Sequence, residues 1–363
     1  EIRGACRHPH SDFLHDSLVA SSRRQSAHSI VLPDGGKDAA LAKRTQNLVA
    51  SRFFAVAMPI RMSEWMDPAL VKAFEAEGTD AYRICTYPDG WVDRYGADVL
   101  VSYKADAARE RLTTELYLWS LNVGFKFARV FARFLPKQNA EREAPRLVVG
   151  DVAASLQATA VEHGLRYGTD FAAGYSVGLF VDQRHNRSLV QQFRPKSLLN
   201  CFAYTCAFSV AGAYVGAKTV SVDLSKKSLD RGRENFALND LSTEGHRFIA
   251  EDVMAFLPRL ARKGEKFDVI ILDPPTFSRT HRGKAFQVER DFETLLLSAL
   301  ELAERDSKIL LSTNCTTLSE RALEVMARFC LKTSRRAGSL QSEPPLPDFP
   351  RGVGARTVWL TLR

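Results

Sequence analysis

The six cysteines of this sequence are scattered, and no two of them form a C-x-x-C pair. Zinc knuckles and disulfide-stapled secreted domains rely on closely spaced cysteines, so the sequence indicates neither. Unpaired cysteines are typical of proteins in a reducing compartment. We therefore expect an intracellular protein that binds no metal, located in the cytoplasm or in an organelle matrix, such as that of a mitochondrion or plastid.

Glycine-rich phosphate-binding loops are missing as well. A dinucleotide-binding fold would carry G-x-G-x-x-G after its first strand, but the chain reads NCFAYTC at 200–206, and the next glycine after that strand is Gly212. No Walker-type loop is present either. A nucleoside cofactor of this protein would therefore be one without a pyrophosphate.

One charge-free run, Leu198 to Ala217, has the length of a membrane span. It contains Asn200, Thr205 and Ser209 among many small residues, and it continues directly into another strand pattern. This arrangement is typical of a buried strand, turn and helix. We predict no membrane association.

The composition is that of an ordinary globular protein, and the charge balance is basic. At 363 residues, with 45% hydrophobic and 25% charged residues, the chain has room for two domains. The net charge is +8 and the isoelectric point is near 9.2. Because lysine and arginine gain affinity for polyanions by releasing phosphate counterions, this balance favours a polyanionic partner.

The hydrophobic patterns divide the chain into three parts. Residues 1–45 lack clear periodicity and suit a flexible leader or the remnant of an organelle presequence, and residues 46–180 predict a small mixed α/β accessory domain. In the small domain we predict a hairpin of Ala81–Thr86 and Ala97–Tyr103, a helix over Ala107–Phe134 and a second hairpin around Gly164.

Residues 181–363 alternate between strand and helix patterns with short connections. This rhythm predicts an α/β fold with a Rossmann-like, doubly wound sheet. The sheet would end in an antiparallel hairpin. The strand candidates are Leu198–Phe202, Thr219–Asp223, His246–Ala250, Phe267–Leu272, Lys308–Thr313, Ser334–Leu340 and Arg356–Leu362.

Three successive strands of this half end in acids, namely Asp223, Asp252 and Asp273. In an open α/β sheet the carboxyl ends of the strands border the ligand crevice. Asp223 would accept hydrogen bonds from ribose hydroxyls and Asp252 from an adenine amine, and S-adenosylmethionine is the commonest nucleoside cofactor without a pyrophosphate. The alternative is that these acids only cap helices.

The third acid begins a rigid ledge, Asp273–Phe277, with the sequence DPPTF. Pro274 and Pro275 fix the backbone, because proline cannot extend a strand ladder, and Phe277 offers an aromatic face. The ledge therefore suits a flat base. The alternative is an ordinary loop after a strand that ends at proline.

These residues resemble the class I methyltransferases that modify bases of large-subunit ribosomal RNA, both the cytosine-C5 enzymes and the related guanine-N7 enzymes. The resemblance spans about residues 79–363 and implies a seven-stranded methyltransferase sheet. The motifs that carry it are DRYG at 93–96, GLFVDQR at 178–184, NCFAYT at 200–205, VDLS at 222–225, Asn235 with Asn239, and DPPTF at 273–277.

The resemblance implies roles for individual residues, with S-adenosylmethionine as cofactor. Gln183 and Arg184 would help close the cofactor site, the segment 202–205 would line its methionine end, and Asp273 would face the methyl group and the target base. The full set of cofactor residues implied is Gln183, Arg184, Phe202, Ala203, Tyr204, Thr205, Asp223, Ser225, Asp252, Val253 and Asp273.

Two cysteines stand at informative positions. Cys206 occupies a place where the family usually has glycine, so its side chain is expected to crowd the cofactor. Cys315 matches the cysteine of the cytosine-C5 enzymes, whose thiolate adds to C6 because C5 alone is a poor nucleophile. The alternative for Cys315 is a buried, inert thiol, and guanine N7 needs no such residue.

A basic segment follows the ledge and includes Arg279, Arg282 and Lys284. Next to a base-binding ledge these side chains suit RNA phosphates, although a charged loop can also be merely solvated. The chain shows no N-terminal RNA module of the PUA type, so RNA would contact this segment and the small domain. Pro274, Pro275 and Phe277 would contact the target base.

The sequence thus predicts methyl transfer from S-adenosylmethionine to an RNA base, with cytosine C5 of large-subunit ribosomal RNA as the first choice and Cys315 and Asp273 as the catalytic residues. Guanine N7 is the alternative within the same class. A ribosome-assembly factor that keeps the fold, binds ribosomal RNA and has weak catalysis is the alternative from another class.

Overall fold

A computed structural model of the chain describes residues 64–136, 142–279 and 285–363. The predicted leader, residues 1–45, lies outside the described residues, as do Arg282 and Lys284. Within the described part, no helix combines the length and the apolar character needed to cross a membrane.

A seven-stranded sheet forms the C-terminal half and confirms the predicted doubly wound α/β fold. Its order is β10-β9-β8-β11-β14-β16-β15; neighbours from β10 to β14 pair in parallel, and β16 pairs antiparallel with both β14 and β15. The strands are β8 (Ser197–Cys201), β9 (Lys218–Asp223), β10 (Arg247–Ala250), β11 (Phe267–Leu272), β14 (Ala303–Thr313), β15 (Gly338–Gln341) and β16 (Arg356–Leu362).

Helices cover both faces of this sheet, which explains the continuous apolar runs of its strands. In β11, for example, Ile270 and Leu272 belong to one buried cluster, while Val269 and Ile271 belong to the cluster on the opposite face. The helices are α3 (Arg184–Phe193), α4 (Ala207–Tyr214), α5 (Lys226–Leu238), α6 (Val253–Arg262), α7 (Val288–Leu300) and α8 (Glu320–Thr333).

The small domain is built on a five-stranded sheet with the order β1-β2-β3-β4-β5. Trp119 of α2 and Trp65 lie in the buried cluster that covers it. Its elements are α1 (Pro68–Ala76), β1 (Ala81–Tyr87), β2 (Gly90–Tyr95), β3 (Asp98–Tyr103), α2 (Asp106–Val123), β4 (Arg129–Phe134) and β5 (Arg146–Val149).

Two sequence predictions for this domain were wrong. The predicted strands Ala81–Thr86 and Ala97–Tyr103 do not pair with each other. They correspond to β1 and β3, and β2 lies between them and pairs with both. The predicted helix over Ala107–Phe134 ends at Val123, where Gly124 takes a left-handed φ of 72° and stops it. The remainder includes β4, parallel to β3, in which Val130, Phe131 and Ala132 are all buried. A short continuous apolar run of this kind cannot be told from a buried helix by its periodicity.

The hairpin of β6 (Gln157–Glu162) and β7 (Leu165–Asp170) lies between the two sheets. It is held by two asparagines, Asn235 within α5 and Asn239 directly after the last residue of α5. Asn235 Oδ1 accepts from the Gly168 N–H at 2.7 Å, and Asn235 Nδ2 donates to the Thr205 carbonyl at 2.8 Å. The side chain of Asn239 pairs with the backbone of Arg166: its Oδ1 accepts from the Arg166 N–H at 2.8 Å, and its Nδ2 donates to the Arg166 carbonyl at 2.7 Å. The paired asparagines of the motif therefore join the hairpin to the C-terminal half.

Buried ion pairs reinforce this junction. Arg184 donates both terminal nitrogens to Asp348, at 3.1 and 2.6 Å, and Asp348 also accepts from the Arg83 backbone N–H at 3.0 Å. Asp348 is fully buried. Arg187 forms a second bidentate pair with Glu162, at 2.7 and 2.6 Å. A carboxylate from the C-terminal loop thus ties β1 to the start of α3.

The change Asp348→Asn tests this junction. It leaves Arg184 buried without a charge partner, so we expect the free energy of unfolding to fall by about 3–5 kcal/mol in denaturant titrations. Asp306→Asn is the matched control, because Asp306 is 84% exposed and faces Arg305 at 3.9 Å; it should change stability by less than about 0.5 kcal/mol. Equal effects of the two substitutions would contradict the structural role of Asp348.

Candidate active site

A cavity of about 530 Å³ opens at the carboxyl edge of the parallel strands, where the strand order reverses between β8 and β11. Ligands of open α/β sheets bind at this point. Of the residues predicted to bind cofactor or base, Gln183, Phe202, Ala203, Tyr204, Thr205, Asp223, Asp252, Val253, Asp273, Pro274 and Pro275 line the cavity.

The turn from β8 to α4 forms the floor of this cavity with an unusual backbone. Phe202, Tyr204 and Cys206 have φ values of 57°, 48° and 59°, in the left-handed region that favours glycine. The turn is held by neighbouring groups: the Ala203 N–H donates to the Val222 carbonyl at 2.9 Å, and the Tyr204 N–H donates to Asp223 at 2.8 Å. The chain reaches a glycine-type turn without glycine.

The side chain of Cys206 points away from the cavity. It is fully buried beside Leu229, under Gly232 of α5. A Cβ atom added to Gly232 would lie 2.4 Å from Cys206 Sγ, so the absence of a side chain at position 232 makes room for the thiol. The expected crowding of the cofactor by Cys206 is therefore not seen.

Asp223 and Asp252 both line the cavity and both support local backbone. Asp223 accepts from the N–H groups of Tyr204 and Ser225, each at 2.8 Å, and burial raises the pKa of its carboxyl. Asp252 caps the N-terminus of α6 through the Met254 N–H at 3.0 Å. Each acid supports local backbone and also lines the cavity. The interpretation as cofactor-binding residues and the interpretation as caps are therefore compatible.

Asp273 follows β11 and is half-buried, with its carboxyl group at the cavity wall. Burial raises the pKa of Asp273 to about 6, and a hydrogen bond with Ser312 opposes this rise. Gln183 Nε2 donates to Ser312 Oγ at 2.7 Å and, more weakly, to Asp273 Oδ2 at 3.4 Å. Gln183 therefore orients the carboxylate that begins the ledge.

Two of the predicted cofactor residues do not line the cavity. Arg184 is occupied by its buried pair with Asp348, and Ser225 caps α5 through the Ser228 N–H. Arg187, one helical turn after Arg184, lines the cavity in its place. No sequence signal distinguishes the two arginines, because the motif at 178–184 ends at Arg184.

Cys315 lies just behind the cavity wall. It is 5% exposed and belongs to the core cluster between the sheet and its helices, and its Sγ lies 3.0 Å from Thr317 Oγ1. The preceding residue, Asn314, lines the cavity. Cys315 itself is not among the residues that line the cavity.

Aromatic and basic side chains border the opening. Phe277 is 53% exposed, and the Arg279 guanidinium lies 5.3 Å from the centre of its ring. Neither lines the cavity itself. Arg290, a basic residue after the ledge that the sequence pointed to for RNA contact, lines the cavity. Lining residues that the sequence did not single out come from α4, α6, α7, the β12–β13 hairpin (Phe277–Arg279 and Ala285–Gln287) and loops after the strands, and they include Ala207, Phe208, Leu224, Met254, Ser278, Ala285, Phe286, Asp291, Thr294 and Asn314.

The segment 175–180 forms the wall nearest the small domain, and each of its carbonyls accepts a side-chain hydrogen bond. We call this segment the strap. Ser176, Gly178 and Phe180 of the strap line the cavity. The carbonyls of Tyr175, Ser176 and Val177 accept from Arg133 at 2.9 Å, Tyr204 at 2.8 Å and Arg231 at 3.1 Å, respectively. Those of Gly178, Leu179 and Phe180 accept from Thr205 at 2.6 Å, Tyr95 at 3.3 Å and Arg187 at 2.9 Å.

Comparison with known proteins identifies the kind of site. The family model of S-adenosylmethionine-dependent methyltransferases matches residues 95–359. The chain belongs to this family. The predicted family and the predicted cofactor, S-adenosylmethionine, are thereby confirmed.

Several named proteins resemble this methyltransferase. Ribosomal RNA large subunit methyltransferase I of Aeromonas hydrophila is 30% identical over 289 residues, which cover 76% of this chain and 72% of the relative. YwbD of Bacillus subtilis is 34% identical over 209 residues, 55% of this chain, and the alignment spans about half of YwbD (52%). The crystal structure of SMU.776 with SAH superposes with a TM-score of 0.69 at 26% identity, covering 81% of this chain and 78% of that one.

The residues of the cavity fit such a cofactor. Its volume lies in the range of small-molecule sites, and its walls combine apolar side chains such as Val253 and Phe286 with polar and charged ones. Asp223 and Asp252 would hold the nucleoside, since each carboxylate has acceptor capacity beyond its backbone hydrogen bonds. The turn at 202–205 presents backbone to the same space because the Cys206 side chain lies elsewhere.

The pair Cys206 and Gly232 gives a direct test of the turn. Gly232→Ala should lower the free energy of unfolding by about 1–3 kcal/mol, because the new methyl group overlaps the thiol. In the Cys206→Gly background most of this cost should disappear, and thermal unfolding of the single and double variants measures the coupling. The control is Gly212→Ala on α4, whose effect should simply add to that of Cys206→Gly. Additive effects at position 232 as well would contradict the packing described.

Proposed function

We propose that the protein transfers a methyl group from S-adenosylmethionine to a base of large-subunit ribosomal RNA. The proposal rests on one observation: the cavity lined by Asp223 and Asp252 is adjacent to the ledge that starts at Asp273 and exposes Phe277. The names of the relatives support ribosomal RNA as the substrate. The net charge of +8 suits a polyanion.

The residues on the cavity wall would divide the work between binding and positioning. Asp223 would accept from the ribose hydroxyls and Asp252 from the adenine amine, and the bound cofactor supplies an electrophilic methyl group. Burial raises the pKa of Asp273 to about 6, and in its ionised form the carboxylate would accept a hydrogen bond from an amino group of the target base. Gln183 holds that carboxylate in place, which favours an oriented base.

For the atom that receives the methyl group, we place guanine N7 ahead of cytosine C5. Attack through C5 requires a thiolate within reach of the base, and Cys315 is buried behind the cavity wall with its Sγ beside Thr317. N7 of guanine is nucleophilic without such help and needs only to be positioned. Cytosine C5 stays the alternative, with Cys315 as its nucleophile after a local rearrangement.

The cofactor role of Asp223 predicts a loss of affinity in Asp223→Ala. We expect binding of S-adenosylhomocysteine to weaken by about 1–3 kcal/mol, because a charged acceptor is lost and the Tyr204 N–H loses its partner. Isothermal titration calorimetry on protein shown to be folded by circular dichroism measures it. Asp230→Ala is the control, since Asp230 is exposed on α5 and pairs with Lys226. Unchanged affinity in Asp223→Ala would remove Asp223 from the cofactor site.

Cys315→Ala separates the two chemistries. For guanine N7 we expect kcat/KM to stay within about threefold of the wild type, because the thiol contributes only packing. Cys330→Ala is the matched control: Cys330 is a buried cysteine of the same core cluster, on α8. Complete loss of activity in Cys315→Ala alone would reverse the order of the two proposals. A covalent adduct between the wild type and RNA that carries 5-fluorocytosine would do the same.

A further inference from the structure

The side chain of Tyr175, at the start of the strap, lies between two arginines of the small domain. The guanidinium of Arg133 is 4.8 Å from the centre of the Tyr175 ring, and that of Arg142 is 5.2 Å away. Phe134, which follows Arg133 in β4, is 49% exposed and meets Tyr103 edge-on at 5.6 Å. We call Arg133, Phe134, Arg142 and Tyr175 the Tyr175 surface.

The two arginines of this surface differ in their charge partners from neighbouring arginines. Among the described residues no carboxylate lies within ion-pair distance of Arg133 or Arg142, whereas Arg146 of β5 pairs with Glu143 at 2.5 Å. Arg133 donates to the Tyr175 carbonyl and to Ser102 Oγ, both at 2.9 Å, and its buried Nε has no hydrogen-bond partner in the part of the chain that the structure describes. The surface therefore presents positive charge that this part of the chain does not neutralise.

The Tyr175 surface is continuous with the candidate active site. Ser176, the next residue after Tyr175, lines the cavity, and its carbonyl accepts from the Tyr204 hydroxyl at 2.8 Å. Because every carbonyl of the strap is hydrogen-bonded, this part of the backbone is fixed between the surface and the cavity. A polymer whose base enters the cavity would meet the Tyr175 surface with an adjacent part of its chain.

We propose that the Tyr175 surface binds the single-stranded RNA segment next to the target base. Unpaired bases stack on aromatic rings and on guanidinium planes, and phosphates are attracted to arginines without a carboxylate partner. Exposed Phe134 supplies a stacking face, Arg133 and Arg142 supply the charge, and the Tyr175 ring holds the two guanidinium groups beside each other. This inference rests on the proposed function and assigns to the small domain a defined contact with the substrate.

The substitution Arg142→Gln tests the charge of the surface, with Arg146→Gln as the matched control. The probe is a single-stranded RNA of mixed sequence, about 20 nucleotides long, titrated by fluorescence anisotropy at several salt concentrations. Arg142→Gln should lower the slope of log affinity against log salt by about 1. Arg146→Gln should leave the slope unchanged, because Glu143 already neutralises Arg146. Equal slopes in both variants would overturn the proposal.

The substitution Tyr175→Leu removes the ring that holds the two guanidinium groups, while keeping the carbonyl that Arg133 contacts. We expect about tenfold weaker binding of the single-stranded probe and little change for a duplex of the same sequence. Binding of S-adenosylhomocysteine should stay at the wild-type value, which shows that the strap is intact. In methyl transfer the loss should fall on KM for RNA rather than on kcat.

Two failures can be distinguished. Wild-type protein that binds S-adenosylhomocysteine but no RNA would contradict the proposed function itself, and the surface proposal would fall with it. Wild-type protein that binds and methylates RNA, with Arg142→Gln and Tyr175→Leu equal to it in affinity, would overturn only the surface proposal. The Tyr175 surface would then contact another macromolecule, such as an acidic segment of a protein.

Discussion

The hydrogen bonding of the strap, residues 175–180, is the constraint on which the candidate active site depends. This segment connects the β6–β7 hairpin to the catalytic half without belonging to any helix or sheet, so its carbonyls need partners from side chains. Donors come from both halves, among them Arg133 of the small domain and Arg187 of α3. The two halves therefore meet along one wall of the cavity, and the buried pair of Arg184 and Asp348 closes the same junction.

The strap and the strained turn at 202–206 support each other. Tyr204 has a positive φ and is held from both ends, since its N–H donates to Asp223 and its hydroxyl donates to the strap. Thr205 donates to the strap as well. Residues in sparsely populated backbone regions persist where their surroundings fix them. One consequence is functional: the acid that would hold the cofactor also holds the turn beneath it, so cofactor affinity and local stability are coupled at Asp223.

The sequence predicted the sheet well because its strands are apolar on both faces and end in acids or prolines, as in Phe267–Leu272. It failed at β4, where the spacing of apolar residues fits a helix and a strand equally. It could not predict which way Cys206 points, since that depends on Gly232 in another helix. Nor could it find the strap, whose hydrogen bonds join residues distant in sequence. For Cys315 the motif indicated a nucleophile. The burial of its side chain could not be predicted, because it depends on the packing of α8 and its neighbours.

The central claim is that this fold methylates a base of large-subunit ribosomal RNA within the described cavity. The most direct measurement is mass spectrometry of nucleosides after large-subunit RNA lacking the modification is incubated with the purified protein and S-adenosylmethionine labelled in its methyl group. We expect one labelled nucleoside, 7-methylguanosine. Labelled 5-methylcytidine would keep the enzyme class and correct the base. No labelled nucleoside, from protein that binds S-adenosylhomocysteine, would contradict the claim.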